Sequence, residues 1–225
     1  MGRPRQSLLS RERIFAEALA LVDEKGADAL SMARLAGRLG VQAASLYNHV
    51  TGRDEIVEGI RWLVVSEMDI AVLGGGPWQE SLATWARSYM AALARHPNTA
   101  KLLATTTIRT PLSLEMYERV VILLEDAGWP RDQVVSVFTV IESFAIGSAL
   151  DLVAPSIMID PAEQSNSVPR LAAALKGDRP DRAKETFELG LTALLSGLVV
   201  LRRETVRDGA GPLGAPPADG SHQGR

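Results

Sequence analysis

Apolar residues recur every three or four positions along almost the whole chain, and Gly or Pro punctuates each run. That periodicity is the mark of amphipathic helices, and no stretch alternates as a half-buried strand does. Ser10 opens the first run, in which Ile14, Ala18, Leu21 and Val22 share a stripe, and Gly26 stops it. Ser31 opens a short second helix carrying Met32, Leu35, Ala36 and Leu39, and Gly40 turns the chain into a third over 41–49. Thr51 and Asp54 have capping-box spacing and start a fourth helix running to about Leu73, where Gly74-Gly75-Gly76-Pro77 breaks it. Helices follow from about Trp78 to Arg95, over 98–106, from Pro111 to Gly128, from Asp132 to about Leu152 and from Asp181 to about Arg203. The connection 153–180 holds four prolines, and the tail from Asp208 has eight Gly or Pro in 18 residues, a composition expected to stay disordered. The fold class is all-α.

A chain of 225 residues, 46% hydrophobic and 23% charged, makes one large domain or two small ones with a core that needs no staple. The absence of cysteine excludes thiolate zinc sites, iron–sulfur clusters and cysteine nucleophiles. Only His49, His96 and His222 are available as imidazoles, so a three-histidine metal site would have to recruit the tail. No readable nucleophile–base pair or metal cluster remains, and the expectation is a non-enzyme with neither metal nor cofactor. No uninterrupted apolar run approaches the ~20 residues that cross a bilayer, and Met1–Ser7 is not followed by a secretory core. The cytoplasm is the expected compartment and no membrane partner is implied.

The net charge of −3 hides an asymmetry: residues 1–53 carry +3 and the rest −6. A basic head on an acidic body suits a polyanion. Residues 31–50 sharpen this, because two short helices joined by a Gly-containing turn have helix-turn-helix spacing. In that motif the second helix enters the major groove with its first residues at base edges. Here it begins Gln42-Ala43-Ala44-Ser45: glutamine can bond adenine bidentately, and alanine can meet a thymine methyl. Leu46 is expected to point into the core. Tyr47, Asn48 and His49 extend the contact surface, while Ser31, Arg34 and Arg53 are placed to hold phosphates from the flanking helix ends. The expected partner is double-stranded operator DNA.

These residues carry a resemblance. Leu35-Ala36, Leu39-Gly40-Val41, Ser45-Leu46-Tyr47-Asn48-His49-Val50 and Arg53-Asp54-Glu55-Ile56 resemble the TetR family of bacterial transcription regulators. The resemblance implies a homodimer with an N-terminal DNA-binding head, 1–56, and an effector-binding and dimerisation body, 57–206, followed by a tail, 207–225. Pro77-Trp78-Gln79, Asn98-Thr99-Ala100-Lys101 and Phe144-Ala145-Ile146-Gly147 are similar to the body of the member that grips a tetracycline–magnesium complex. That member has a metal-ligating histidine shortly after an Ala-Lys pair; here Ala100-Lys101 is followed by Leu102-Leu103, and leucine ligates no metal. Trp85 and Tyr89 stand where the drug-site asparagine and phenylalanine of that member align. Metal-dependent tetracycline sensing is not expected.

What remains is an apolar, aromatic body suited to a small molecule. The candidate ligand residues are Trp62, Trp85, Tyr89, His96, Thr106, Arg109, Phe138 and Glu142. Trp85 and Tyr89 share a helix face, and Glu142, set among Val140, Ile141 and Phe144, needs a partner if buried. His96 ends a helix, where an exposed position beside the carbonyl ends is the competing reading. The last two long helices are apolar over more than one stripe, as a four-helix bundle between two subunits requires. The function read from the sequence is a ligand-responsive repressor of a palindromic operator, released by a small hydrophobic effector of unknown identity. The alternative is a helical DNA-binding protein with no effector.

Overall fold

The computed structural model describes residues 9–154, 159–161, 166–175 and 181–207. The tail from Asp208, His222 and part of the 153–180 connection lie outside them. Ten α-helices and no strands are found among the described residues: α1 (Arg11–Lys25), α2 (Met32–Leu39), α3 (Ala43–Leu46), α4 (Arg53–Ser66), α5 (Trp78–Arg95), α6 (Pro97–Ala104), α7 (Pro111–Asp126), α8 (Arg131–Leu152), α9 (Pro169–Ala174) and α10 (Arg182–Arg207).

The first three helices and the start of α4 form a small unit around Ile14, Ala18, Leu35, Leu46 and Ile56, all at most 1% exposed, with Ala36 and Leu39 buried beside them. Ser10 and Ser31 cap α1 and α2 by accepting from Arg13 N (3.2 Å) and Arg34 N (3.3 Å). Gly40 takes the left-handed conformation (φ 69°) that ends α2, and Val41 N donates to Ala36 O at 3.0 Å. Two helices differ in their bounds from the sequence reading. Helix α3 is one turn, because Tyr47–His49 form a turn in which Val50 N returns to Leu46 O. Helix α4 starts at Arg53, and the carboxylate that caps Thr51 belongs to Glu55, not Asp54: its Oε2 accepts from Thr51 N (2.7 Å) and Thr51 Oγ1 (2.9 Å). It stops at Ser66, and a separate 3₁₀ turn, Ala71–Gly74, precedes the Gly-Pro break.

Helix α4 packs against both α1 and α7, so it links the N-terminal helices to the later ones. At the α1 crossing, a Cβ on Gly59 would lie 2.2 Å from the Phe15 ring, so the close approach requires glycine. In the body, α5 and α8 pack along much of their length and α10 lies across α8. Gly190 has the same role there as Gly59: a Cβ would meet the Phe144 ring at 2.4 Å, and Phe144 stacks on Phe187 at 5.5 Å. Arg182 clamps Asp151 at 2.8 and 3.0 Å, tying α10 to the end of α8.

Helix α8 is long and apolar enough to cross a membrane by length and composition. Its run is interrupted by Glu142, and α8 instead packs on α5, α7 and α10. One face of the α8–α10 pair is uncovered: Val135 (59% exposed), Val140, Leu150, Leu189 (74%) and Val200 point outward. Leu191 and Leu198 point the other way, into the protomer.

Candidate functional site

Around α3 the predicted residues gather on one surface. Leu46 is fully buried, as its place in the helix requires, and this turns Gln42, Ala44, Tyr47 and Asn48 outward, with Ala43, Ser45 and His49 half-buried between them. Tyr47 is 56% exposed, unusual for an aromatic side chain with a core one residue away. Ser31 and Arg34 are exposed at the start of α2, though the Ser31 hydroxyl is already committed to its own helix. Arg53 is exposed too, and its Nε reaches the Leu30 carbonyl at 3.4 Å, which leaves its terminal nitrogens free of that bond. Arg38 is no part of this surface: Glu17 and Glu24 hold it with three bonds of 2.7 Å. The surface thus offers a polar tip and two arginines on a rigid three-helix base, the chemistry that contacts base edges and phosphates.

The eight candidate body residues separate into four places. Tyr89, Phe138 and Glu142 come together. Glu142 Oε1 accepts from the Tyr89 hydroxyl at 2.7 Å and from the Tyr117 hydroxyl at 2.6 Å, and Tyr117 packs on Phe138 at 5.2 Å. Burial, and next the Glu142 charge, push both phenols well above their ordinary pKa, so each stays a donor. Trp85 lies behind them, edge-on to Tyr89 at 5.5 Å. It is 0% exposed and its indole N–H faces the Met116 sulfur at 3.4 Å, so its polar tip meets packed side chain rather than open space.

Trp62 and Arg109 lie elsewhere. They share a cleft of about 490 Å³ with Phe15, Glu58 and Pro111, between α1, α4 and the loop before α7. Thr106 is held by Arg61, a buried arginine that the sequence reading missed. Its guanidinium donates to Glu58 (3.0 Å), to the Leu103 and Thr106 carbonyls (both 3.1 Å) and to Thr106 Oγ1 (2.6 Å). It staples α4 to the end of α6 and the loop beyond. An arginine on an otherwise apolar helix stripe was the available signal.

His96 is not an exposed helix end. Nδ1 faces Asp23 of α1 at 2.8 Å and Nε2 faces Glu67 at the end of α4 at 3.0 Å. With a carboxylate on each ring nitrogen, both must donate, which only the protonated ring does. Partial burial alone would lower its pKa, but the hydrogen bonds to Asp23 and Glu67 outweigh burial and raise it. Asn98 adds a bond to the Asp23 carbonyl at 2.9 Å. The N-terminal helices are therefore tied to the later ones both by α4 and by this clamp on α1. Among the described residues no cluster of His, Asp and Glu is arranged to hold a metal ion.

Comparisons with known proteins agree over both parts. Residues 14–60 match the model of bacterial regulatory proteins of the tetR family, and residues 72–202 match that of the tetracyclin repressor-like C-terminal domain. An HTH-type transcriptional regulator of Saccharopolyspora erythraea is 31% identical over 141 residues; the match takes in 63% of this chain and 60% of that relative's length. The tetracycline repressor protein class A from transposon 1721, of Escherichia coli, is 28% identical over 91% of this chain and 96% of its own. The crystal structure of the Streptomyces coelicolor TetR family protein ActR in complex with (S)-DNPA is similar with a TM-score of 0.69 at 28% identity, covering 86% of this chain and 98% of that one.

Proposed function

The chain belongs to the TetR family of transcriptional regulators, and on that premise we propose that it is a homodimeric, sequence-specific repressor of a two-fold symmetric operator, released by a small hydrophobic effector. The observation that carries the reading is the outward set Gln42, Ala44, Tyr47 and Asn48, on and around a one-turn helix anchored by the fully buried Leu46. A head of residues 1–56 binds DNA, with α3 in the major groove and Ser31, Arg34, His49 and Arg53 toward the phosphates. A body of 57–206 dimerises through the uncovered apolar face of α8 and α10 and takes the effector. The reading includes a cytoplasmic setting and no catalytic role. The similarity to ActR, whose structure holds (S)-DNPA, supports an effector in the body.

Coupling runs through two joints. Arg61 fixes α4 to the α6–α7 region, and His96 fixes α1 to the α5–α6 corner. An effector that favours one arrangement of the body shifts the head spacing of the dimer by its differential affinity, typically ~1–3 kcal/mol. A regulator without an effector is the second reading, favoured by the complete enclosure of Trp85. The half-buried Glu142 and Tyr117 favour the first.

Selection of duplexes from a randomised library by the full-length protein tests the assignment. The enriched sequences should be palindromic, bound by one dimer or a pair of dimers. Enrichment no better than the starting pool would sink it.

A further inference from the structure

Glu142 has an unusual set of hydrogen-bond partners. One of its oxygens accepts hydrogen bonds from two phenols, at 2.7 and 2.6 Å, and both donors are neutral. No guanidinium or ammonium group lies within ion-pair distance of it among the described residues. The nearest buried cation, Arg61, spends its hydrogen bonds on Glu58, Leu103 and Thr106. Buried charges are ordinarily paired with an opposite charge; here the carboxylate is half-buried, and among the described residues the bonds it accepts both fall on Oε1. The walls are aromatic: Tyr89 and Tyr117 from two different helices, and Phe138 one turn before Glu142 on α8. Ring faces attract cations and do nothing comparable for neutral or anionic groups.

We infer that the effector carries a positive charge, an amine whose ammonium group seats against the Glu142 carboxylate within the ring walls of Tyr89, Tyr117 and Phe138. The inference rests on the reading of the body as an effector site and adds the ligand's charge to it. Tyr89 and Tyr117 act as positioning residues: their hydroxyls fix Oε1 and leave Oε2 for the ligand. Phe138 closes one side. The hydrophobic part of the amine lies along the apolar residues of α5, α7 and α8. An anionic ligand of the same shape is rejected, since it would bring a second negative charge to a carboxylate that has no ion-pair partner among the described residues.

A matched pair of probes separates charge from shape: 4-phenylbutylamine, protonated at neutral pH, and 4-phenylbutan-1-ol. Calorimetric titration of the full-length protein should show the amine bound at least ten-fold more tightly than the alcohol. In Glu142→Gln the ratio should fall to about one with the alcohol's affinity unchanged. Tyr117→Phe keeps the carboxylate and removes one of its donors, so it should keep or raise the preference for the amine, and it reads out the site if Glu142→Gln does not fold. Equal binding of the two probes by the wild type, or an undiminished ratio in Glu142→Gln, overturns the inference while leaving an effector site in place. Binding of neither probe overturns the hydrophobic-effector reading as well.

Discussion

Replacing His96 by alanine should loosen the joint between head and body by an amount that depends on pH. The ring makes two charge-assisted bonds, to Asp23 and Glu67, at 2.8 and 3.0 Å. Their loss is unequal. Glu67 is one-third exposed and keeps Arg95 at 2.6 Å, so water and that guanidinium replace most of what it loses. Asp23 already has one buried oxygen, Oδ1, without a partner, and would lose the partner of the other. A hydrogen bond to a charged group contributes about 1.5–3 kcal/mol, so the expected cost is ~3 kcal/mol, mostly at Asp23. For a chain of this size that corresponds to a Tm lower by about 6–12 °C. The sign of the pH effect follows from the raised pKa of His96. Its contribution is full below the unfolded value of about 6.5 and falls as pH rises through the higher folded value, where the neutral ring keeps only one donor. Glu67 stays ionised across this window, since bonds from His96 and Arg95 outweigh the burial that would raise its pKa. Melting followed by circular dichroism from pH 6 to 9 should therefore show the gap between wild type and His96→Ala narrowing toward alkaline pH. A gap of constant size would refute the doubly bonded, protonated histidine.

Three further outcomes follow from the geometry. Gly59→Ala places a methyl carbon 2.2 Å from the Phe15 ring; denaturant titration should show a loss of ~1–3 kcal/mol, largely restored when Phe15→Ala is added. Leu189→Glu puts a charge on the uncovered α10 face at a position 74% exposed in the protomer; sedimentation should show monomers with helix content intact, and an intact dimer would place the interface elsewhere. Tyr47→Ala should weaken operator binding while leaving the melting temperature within ~1 °C, because a side chain 56% exposed holds little of the fold; if it bonds a phosphate, the slope of log affinity on log salt should flatten by ~0.9.

Local signals were legible wherever one residue type sets a boundary. Ser10, Ser31 and Gly40 cap as read, and Pro77 with His96-Pro97 fixed both ends of α5. The ends of α3 and α4 were not legible, because the hydrophobic spacing continues through Tyr47 and through Met68-Ile70 while the backbone has already turned. Glu142 was recognisable as a residue in need of a partner, but its partners are 53 and 25 residues away. Asp23 and His96 are separated by 73 residues. Such pairings depend on how α1, α5, α7 and α8 cross, which periodicity does not encode. Trp85 shares a helix face with Tyr89 as read, but that its indole N–H turns to the sulfur of Met116, 31 residues away, was beyond what periodicity encodes.

Operator recognition depends on α3 reading bases, and Gln42 offers the most direct measurement of that. It stands exposed at the start of the helix with its amide uncommitted to any cap. Duplex selection repeated with Gln42→Ala should return the wild-type site with base preference relaxed at one symmetric pair of positions, at a cost of ~1–3 kcal/mol for each lost bidentate contact. An identical site of identical affinity would show that this surface does not read the sequence.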